Sequence, residues 1–167
     1  MVILSQLLQR LADADIDFVV VGGFAALIHG STLVTRDLDV CAVLSHEDVE
    51  KLRGALRDLN PTHRLTPQKL SFLANPESGV PVRNLYLETE IGTVDILSSI
   101  LGVGDFARVR AGSVEIDLFG RRCRVISVDD LITAKEALGR EKDLLAAKEL
   151  RAIREKTKSS VTPSGNP

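Results

Sequence analysis

The stretch from Phe18 to Val43 constrains the fold of this chain more than any other. It runs Phe18-Val19-Val20-Val21 and breaks at Gly22-Gly23. An apolar segment ending His29-Gly30 follows, and the chain re-enters an apolar run as Thr35-Arg36-Asp37-Leu38-Asp39-Val40. β-Branched runs of this kind read as buried strands. The glycine pair permits a sharp strand-to-helix turn with bare backbone amides, a form suited to phosphate. Successive side chains on a strand point to opposite faces, so Asp37 and Asp39 share one face, about 6–7 Å apart. Leu38, Val40 and Ala42 face the other way, into a core. Two carboxylates on one face repel unless a cation lies between them. The pair is therefore a candidate divalent-metal site.

The length of 167 residues reads as one domain with a sizeable core. We place that domain at residues 1–155, with a core at 17–126 and C-terminal helices at 127–154. Residues 156–167 are rich in Ser, Thr, Pro and Gly and read as a disordered tail. A net charge of −2 gives no sign of polyanion binding. Cys41 and Cys123 both lie in apolar runs, as reduced thiols of a cytoplasmic protein do. Met1-Val2-Ile3-Leu4 leads into an amphipathic pattern rather than a signal peptide. No apolar run has the length of a bilayer span, so no membrane partner is expected.

The remaining elements follow from periodicity. Leu4, Leu7, Leu8 and Leu11 recur at helical spacing. Phe24–His29 fits a short helix ended by Gly30. Leu38–Leu44 reads as a strand, and Ser45 caps a helix from His46 to about Leu59. Thr62–Pro81 carries prolines at 67, 76 and 81 and has no clear period. Val82–Leu87 and Thr93–Leu97 are strand-like, the second with Asp95 in its middle. Gly102-Val103-Gly104-Asp105-Phe106-Ala107 matches a loose dinucleotide-binding pattern. That motif needs a strand before it and a helix after it, and Val109, Val114, Ile116 and Leu118 then alternate into a β-hairpin reading instead. Arg108, Arg110, Arg121, Arg122 and Arg124 cluster there, either as a solvated edge or as an RNA-facing patch. Ser127 caps a helix stopped by Gly139, and a last helix runs from Arg140 to about Ile153.

Gly22-Gly23, a gap of 13 residues, Asp37-Leu38-Asp39 and the later strand acid Asp95 resemble the signature of the DNA polymerase β-like nucleotidyltransferase superfamily. Gly22–Gly30 resembles the glycine pair and His-Gly ending of small bacterial nucleotidyltransferases, including abortive-infection toxin types. Thr35, two residues before the first acid, is similar to theirs. So is the segment Asp130-Leu131-Ile132, Lys135, Gly139-Arg140, Lys142-Asp143-Leu144. The basic residue such sequences often carry two positions before the threonine is here Leu33.

The resemblance implies an α/β (α+β) fold: a mixed sheet with packed helices and a C-terminal helical pair. It implies a metal-dependent, pyrophosphate-releasing nucleotidyltransferase that moves a nucleoside monophosphate from a triphosphate such as ATP to a hydroxyl. The acceptor would be RNA such as tRNA, a protein or a small molecule. It also implies two Mg2+ (or Mn2+) ions on Asp37, Asp39 and Asp95, with Glu88 and Glu90 as other candidates for the third acid. Gly22, Gly23, Thr35 and Lys135 would hold the triphosphate. A toxin with a cognate antitoxin is one form of this reading. The alternative is a catalytically silent copy that binds nucleotide or RNA, or neutralises a partner.

Overall fold

A computed structural model describes residues 2–160. These form, in chain order, α1 (Val2–Asp13), β1 (Val19–Val21), α2 (Gly22–Ile28), β2 (Asp37–Cys41), α3 (His46–Leu56) with a 3-10 turn at Arg57–Leu59, β3 (Thr62–His63), β4 (Leu85–Thr89), β5 (Gly92–Leu97), β6 (Ser99–Ile100), β7 (Gly104–Asp105), α4 (Phe106–Gly112), β8 (Val114–Leu118), β9 (Arg121–Val125), α5 (Val128–Leu138) and α6 (Glu141–Ser160). Seven strands make one mixed sheet in the order β3-β4-β5-β2-β1-β9-β8. β2 runs antiparallel to β1 and parallel to β5, and β1 runs parallel to β9. This is the α/β class the sequence implies.

The core follows the apolar pattern. Val19, Val20 and Val21 are buried in the middle of the sheet, as are Leu38 and Val40 of β2. The leucines of α1 at 4, 7, 8 and 11 are buried, and α1 lies across β2, β5 and β9. Ser45 accepts from the Asp48 N–H at 3.1 Å, and Ser127 accepts from the Asp130 N–H at the same distance. Both caps satisfy amides that the first helical turn leaves without partners. Gly139 ends α5 in the left-handed conformation.

Four elements differ from the sequence reading. Phe106–Gly112 is a helix, capped by Asp105, which accepts from the Arg108 N–H at 3.0 Å. Val109 is its buried residue, so Arg108 and Arg110 lie on α4 and only Arg121, Arg122 and Arg124 belong to the hairpin. β2 ends at Cys41 and β4 begins only at Leu85. α6 continues through residues 156–160, into the stretch read as a tail. Arg154 pairs with Asp129 at 2.8 Å and Arg151 pairs with Glu136, which ties the preceding turns of α6 to α5. The tail expectation for 161–167 lies outside the described residues. No described helix is long and apolar enough to cross a membrane.

Residues 64–84 form a long connection anchored by one buried cation. Arg53 on α3 is 3% exposed. Its Nε donates to the Phe72 carbonyl at 2.8 Å, Nη1 to Glu50 at 2.7 Å, and Nη2 to the Pro76 carbonyl. The guanidinium also lies 5.1 Å from the Phe72 ring centroid. Removing it strands two loop carbonyls. Arg53→Ala is expected to lower stability by about 3 kcal/mol in urea denaturation. A loss under about 0.5 kcal/mol, the size of an ordinary surface change, would contradict this account of the connection.

Candidate active site

The site is built where β2 and β5 run parallel. Asp37 lies opposite Thr93, and Asp39 lies opposite Asp95. Residues in register on neighbouring strands point to the same face, about 5 Å apart along the sheet. Asp39 and Asp95 therefore face one side, while Leu38, Val40, Val94 and Ile96 alternate with them. Asp37, at the start of β2, is exposed. Burial, followed by the charges of Asp95 and Asp37, pushes the Asp39 carboxyl up to about 6. Burial also raises Asp95, although Arg64 pulls against it.

Gly22 brings the β1–α2 turn against Asp39. Its φ is +68°, a conformation that disfavours a Cβ. A Cβ there would lie 2.9 Å from Asp39 Cβ and closer still to Asp39 Oδ2. Gly23 plays the same part for Thr35, whose Oγ1 would lie 2.9 Å from an added Cβ. The glycine pair thus seats both motif residues against bare backbone. His29, by contrast, bonds the Ile126 carbonyl through Nε2 at 2.7 Å, a packing role.

A cleft of about 430 Å³ opens over these acids. It brings together Gly22, Asp39, Asp95, Lys135 and Arg140, with Tyr86, Leu97, Ile100 and Leu131 as apolar wall. Gly23, Thr35 and Asp37 stand outside its lining. Lys135 projects from α5 and lies 3.8 Å from Asp143; Arg140 bonds Asp143 through Nε at 2.6 Å. Asp143 is almost fully buried. Burial opposes its ionisation, but the Arg140 hydrogen bond and charge, with Lys135, hold it below the usual carboxylate range. It fixes both cations at the mouth of the cleft.

Arg64 was not legible from the sequence. Its Nε donates to Asp95 Oδ1 at 3.2 Å and its Nη2 to Asp95 Oδ2. Among the described residues, no three His, Cys, Asp or Glu side chains gather closely enough to hold an ion unaided. The expected cage of Asp37, Asp39 and Asp95 is thus not closed. Arg64 takes up both oxygens of the third acid.

The arginines read as a basic patch are paired. Arg108 bonds Asp130 at 2.8 and 2.9 Å, and Arg110 bonds Asp17 at 3.0 Å. Arg121 bonds Asp13 at 2.6 Å and Arg122 meets Glu115 at 3.3 Å. Arg124 donates to Ser113 Oγ at 3.3 Å. Four of the five thus have an acid beside them.

The fold that carries this site is a mixed sheet with helices packed on it and a C-terminal helical pair. Solved structures share it. The lincomycin-bound lincosamide antibiotic adenylyltransferase LnuA is similar at a TM-score of 0.57 and 16% identity, over 88% of this chain and 93% of that one. The antibiotic-resistance factor ANT(2'')-Ia is similar at 0.55 and 13%, over 95% and 91%. A Thermotoga maritima protein assigned as a nucleotidyltransferase is similar at 0.52 and 15%, over 90% and 91%. At these identities the likeness is one of fold. No family model matches the chain, and no curated protein matches it.

Proposed function

We propose that this chain is a nucleotidyltransferase that moves a nucleoside monophosphate from a triphosphate to an acceptor hydroxyl and releases pyrophosphate. One observation carries the reading: Asp39 and Asp95 in register on parallel strands, with Gly22, Lys135 and Arg140 in the same cleft. The resemblance of the motif residues and the likeness in fold support it from two sides.

The donor set suits a hard divalent cation. Asp39 is a half-buried carboxyl that feels the charges of two others, and its ionised form needs a positive neighbour. Asp37 and Asp39 would hold magnesium or manganese, with Asp95 joining them once free of Arg64. When bound, such ions stabilise charge on phosphoryl oxygens and lower the pKa of a hydroxyl. The chain's own residues do the positioning. Gly22 and Gly23 offer backbone amides to phosphate oxygens, and Thr35 braces that turn through its contact with Gly23. Lys135 and Arg140 face the negative charge that spreads over the triphosphate in the transition state. The apolar wall of Leu97, Ile100 and Leu131 excludes water from one side of the cleft.

Lys135→Gln is expected to weaken binding of a non-hydrolysable ATP analogue about tenfold, by loss of one charged contact to phosphate. Calorimetry with manganese present checks this. Unchanged affinity would remove Lys135 from the site. The acceptor follows from assay. The likeness in fold to a lincosamide antibiotic adenylyltransferase and to ANT(2'')-Ia favours a small molecule, the abortive-infection resemblance favours tRNA or a protein paired with an antitoxin, and each is a separate arm. A second reading, a silent nucleotide-binding copy, draws on Arg64 standing at Asp95. Such a copy would bind the analogue and transfer nothing.

A further inference from the structure

Arg64 directly follows β3, and its backbone N–H still donates to the Tyr86 carbonyl at 3.0 Å. It is therefore fixed to the edge of β4. Tyr86 lies opposite Asp95 in the β4–β5 register. The Arg64 side chain passes over the Tyr86 ring, 5.5 Å from its centroid, and forks onto both oxygens of Asp95. A third of that side chain stays open to solvent, at 32%, while Asp95 retains 12%. The guanidinium also lies within the electrostatic reach of Asp37 and Asp39. It thus supplies positive charge beside Asp95, on the side of the sheet that Asp39 shares.

We infer that Arg64 is the resident counter-ion of Asp95 in the metal-free site, and that it exchanges this carboxylate for the phosphate oxygens of an incoming metal–triphosphate. The inference rests on the proposed function. Two features argue for exchange rather than a fixed staple. The planar fork of a guanidinium matches carboxylate and phosphate equally well, so the same two hydrogen bonds re-form on the new partner. The backbone bond and the Tyr86 ring hold the side-chain stem, so only the exposed head need turn. Arg64 then acts twice. It keeps the acids compatible without metal, and it binds the nucleotide once metal has taken Asp95.

The two roles give opposite signs, which a staple cannot. Manganese alone is titrated into wild type, Arg64→Gln and Arg64→Lys, with free ion read by electron paramagnetic resonance. Binding of the α,β-methylene analogue of ATP is then measured with manganese present. Arg64→Gln is expected to bind manganese alone about fivefold more tightly and the analogue about tenfold more weakly. Arg64→Lys, which keeps the charge and loses the fork, falls between on both readings and serves if the glutamine variant fails to fold. Manganese affinity that is unchanged or weaker in both variants overturns the inference, as does undiminished analogue binding. If all three proteins bind manganese and analogue alike, Arg64 loses its role and the nucleotidyltransferase reading stands. If none binds manganese, both fall together.

Discussion

Asp39→Asn is expected to reduce nucleotidyl transfer by about a thousandfold or more while making the metal-free protein more stable near neutral pH. The two effects have one cause. Asp39 is pushed from its ordinary 3.8 to about 6, chiefly by burial and then by Asp95 and Asp37. A carboxyl whose folded pKa is raised holds its proton longer in the folded protein than in the unfolded chain. Stability is therefore highest below about pH 4 as far as this group is concerned, and falls as pH rises towards about 6. Above that, the folded protein carries an ionised, crowded carboxylate worth about 3 kcal/mol of destabilisation. Asparagine removes it. Urea denaturation with a chelator should show the variant more stable by about that amount near neutrality and level with wild type near about pH 4. Added magnesium should narrow the gap by stabilising wild type alone. A variant less stable than wild type at neutral pH would mean that Asp39 is an ordinary structural acid.

Gly22→Ala carries the second large effect. The residue sits at φ +68°, and an added Cβ would lie 2.9 Å from Asp39 Cβ. Strain of the backbone and displacement of Asp39 add, giving an expected loss of about 3 kcal/mol. A shift of the carboxylate by about 1 Å also costs about a hundredfold in rate. Gly23→Ala is the useful comparison. Gly23 is not among the positive-φ glycines, and its neighbour is the Thr35 side chain at 2.9 Å. It should cost less in stability than Gly22→Ala. Equal stability of Gly22→Ala and wild type in chemical denaturation would remove the turn from the site.

Much of the frame could be read from local pattern. Three valines against a glycine pair specified a central strand and a tight turn, because both signals are confined to adjacent residues. The two-residue spacing put Asp37 and Asp39 on one face, and the alternation of Val94, Asp95 and Ile96 put Asp95 with them. Ser45, Ser127 and Gly139 marked helix ends through chemistry that acts within a turn.

The missed features depend on contacts distant in sequence. Arg64 reaches Asp95 through the pairing of a two-residue strand at the edge of an aperiodic connection. Nothing in its local sequence separates it from a surface arginine. The arginines near the hairpin look like a basic patch until Asp13 and Asp17, about a hundred positions earlier, fold beside Arg121 and Arg110. Phe106–Gly112 contains two turns at most, too short for its period to show against the alternation that follows. α6 runs past its last apolar residue, Ile153, to Ser160, and the polar stretch 156–160 carries no apolar period to mark it.

Transfer of label from the α-phosphate tests the central claim most directly. The protein is incubated with magnesium, triphosphates labelled at the α or the γ position, and separate pools of RNA, protein and small hydroxyl compounds. The expected result is α label on one pool, γ label only in released pyrophosphate, and neither event with Asp39→Asn. Label passing from the γ position, or equal α transfer by wild type and Asp39→Asn, would contradict the assignment of the site.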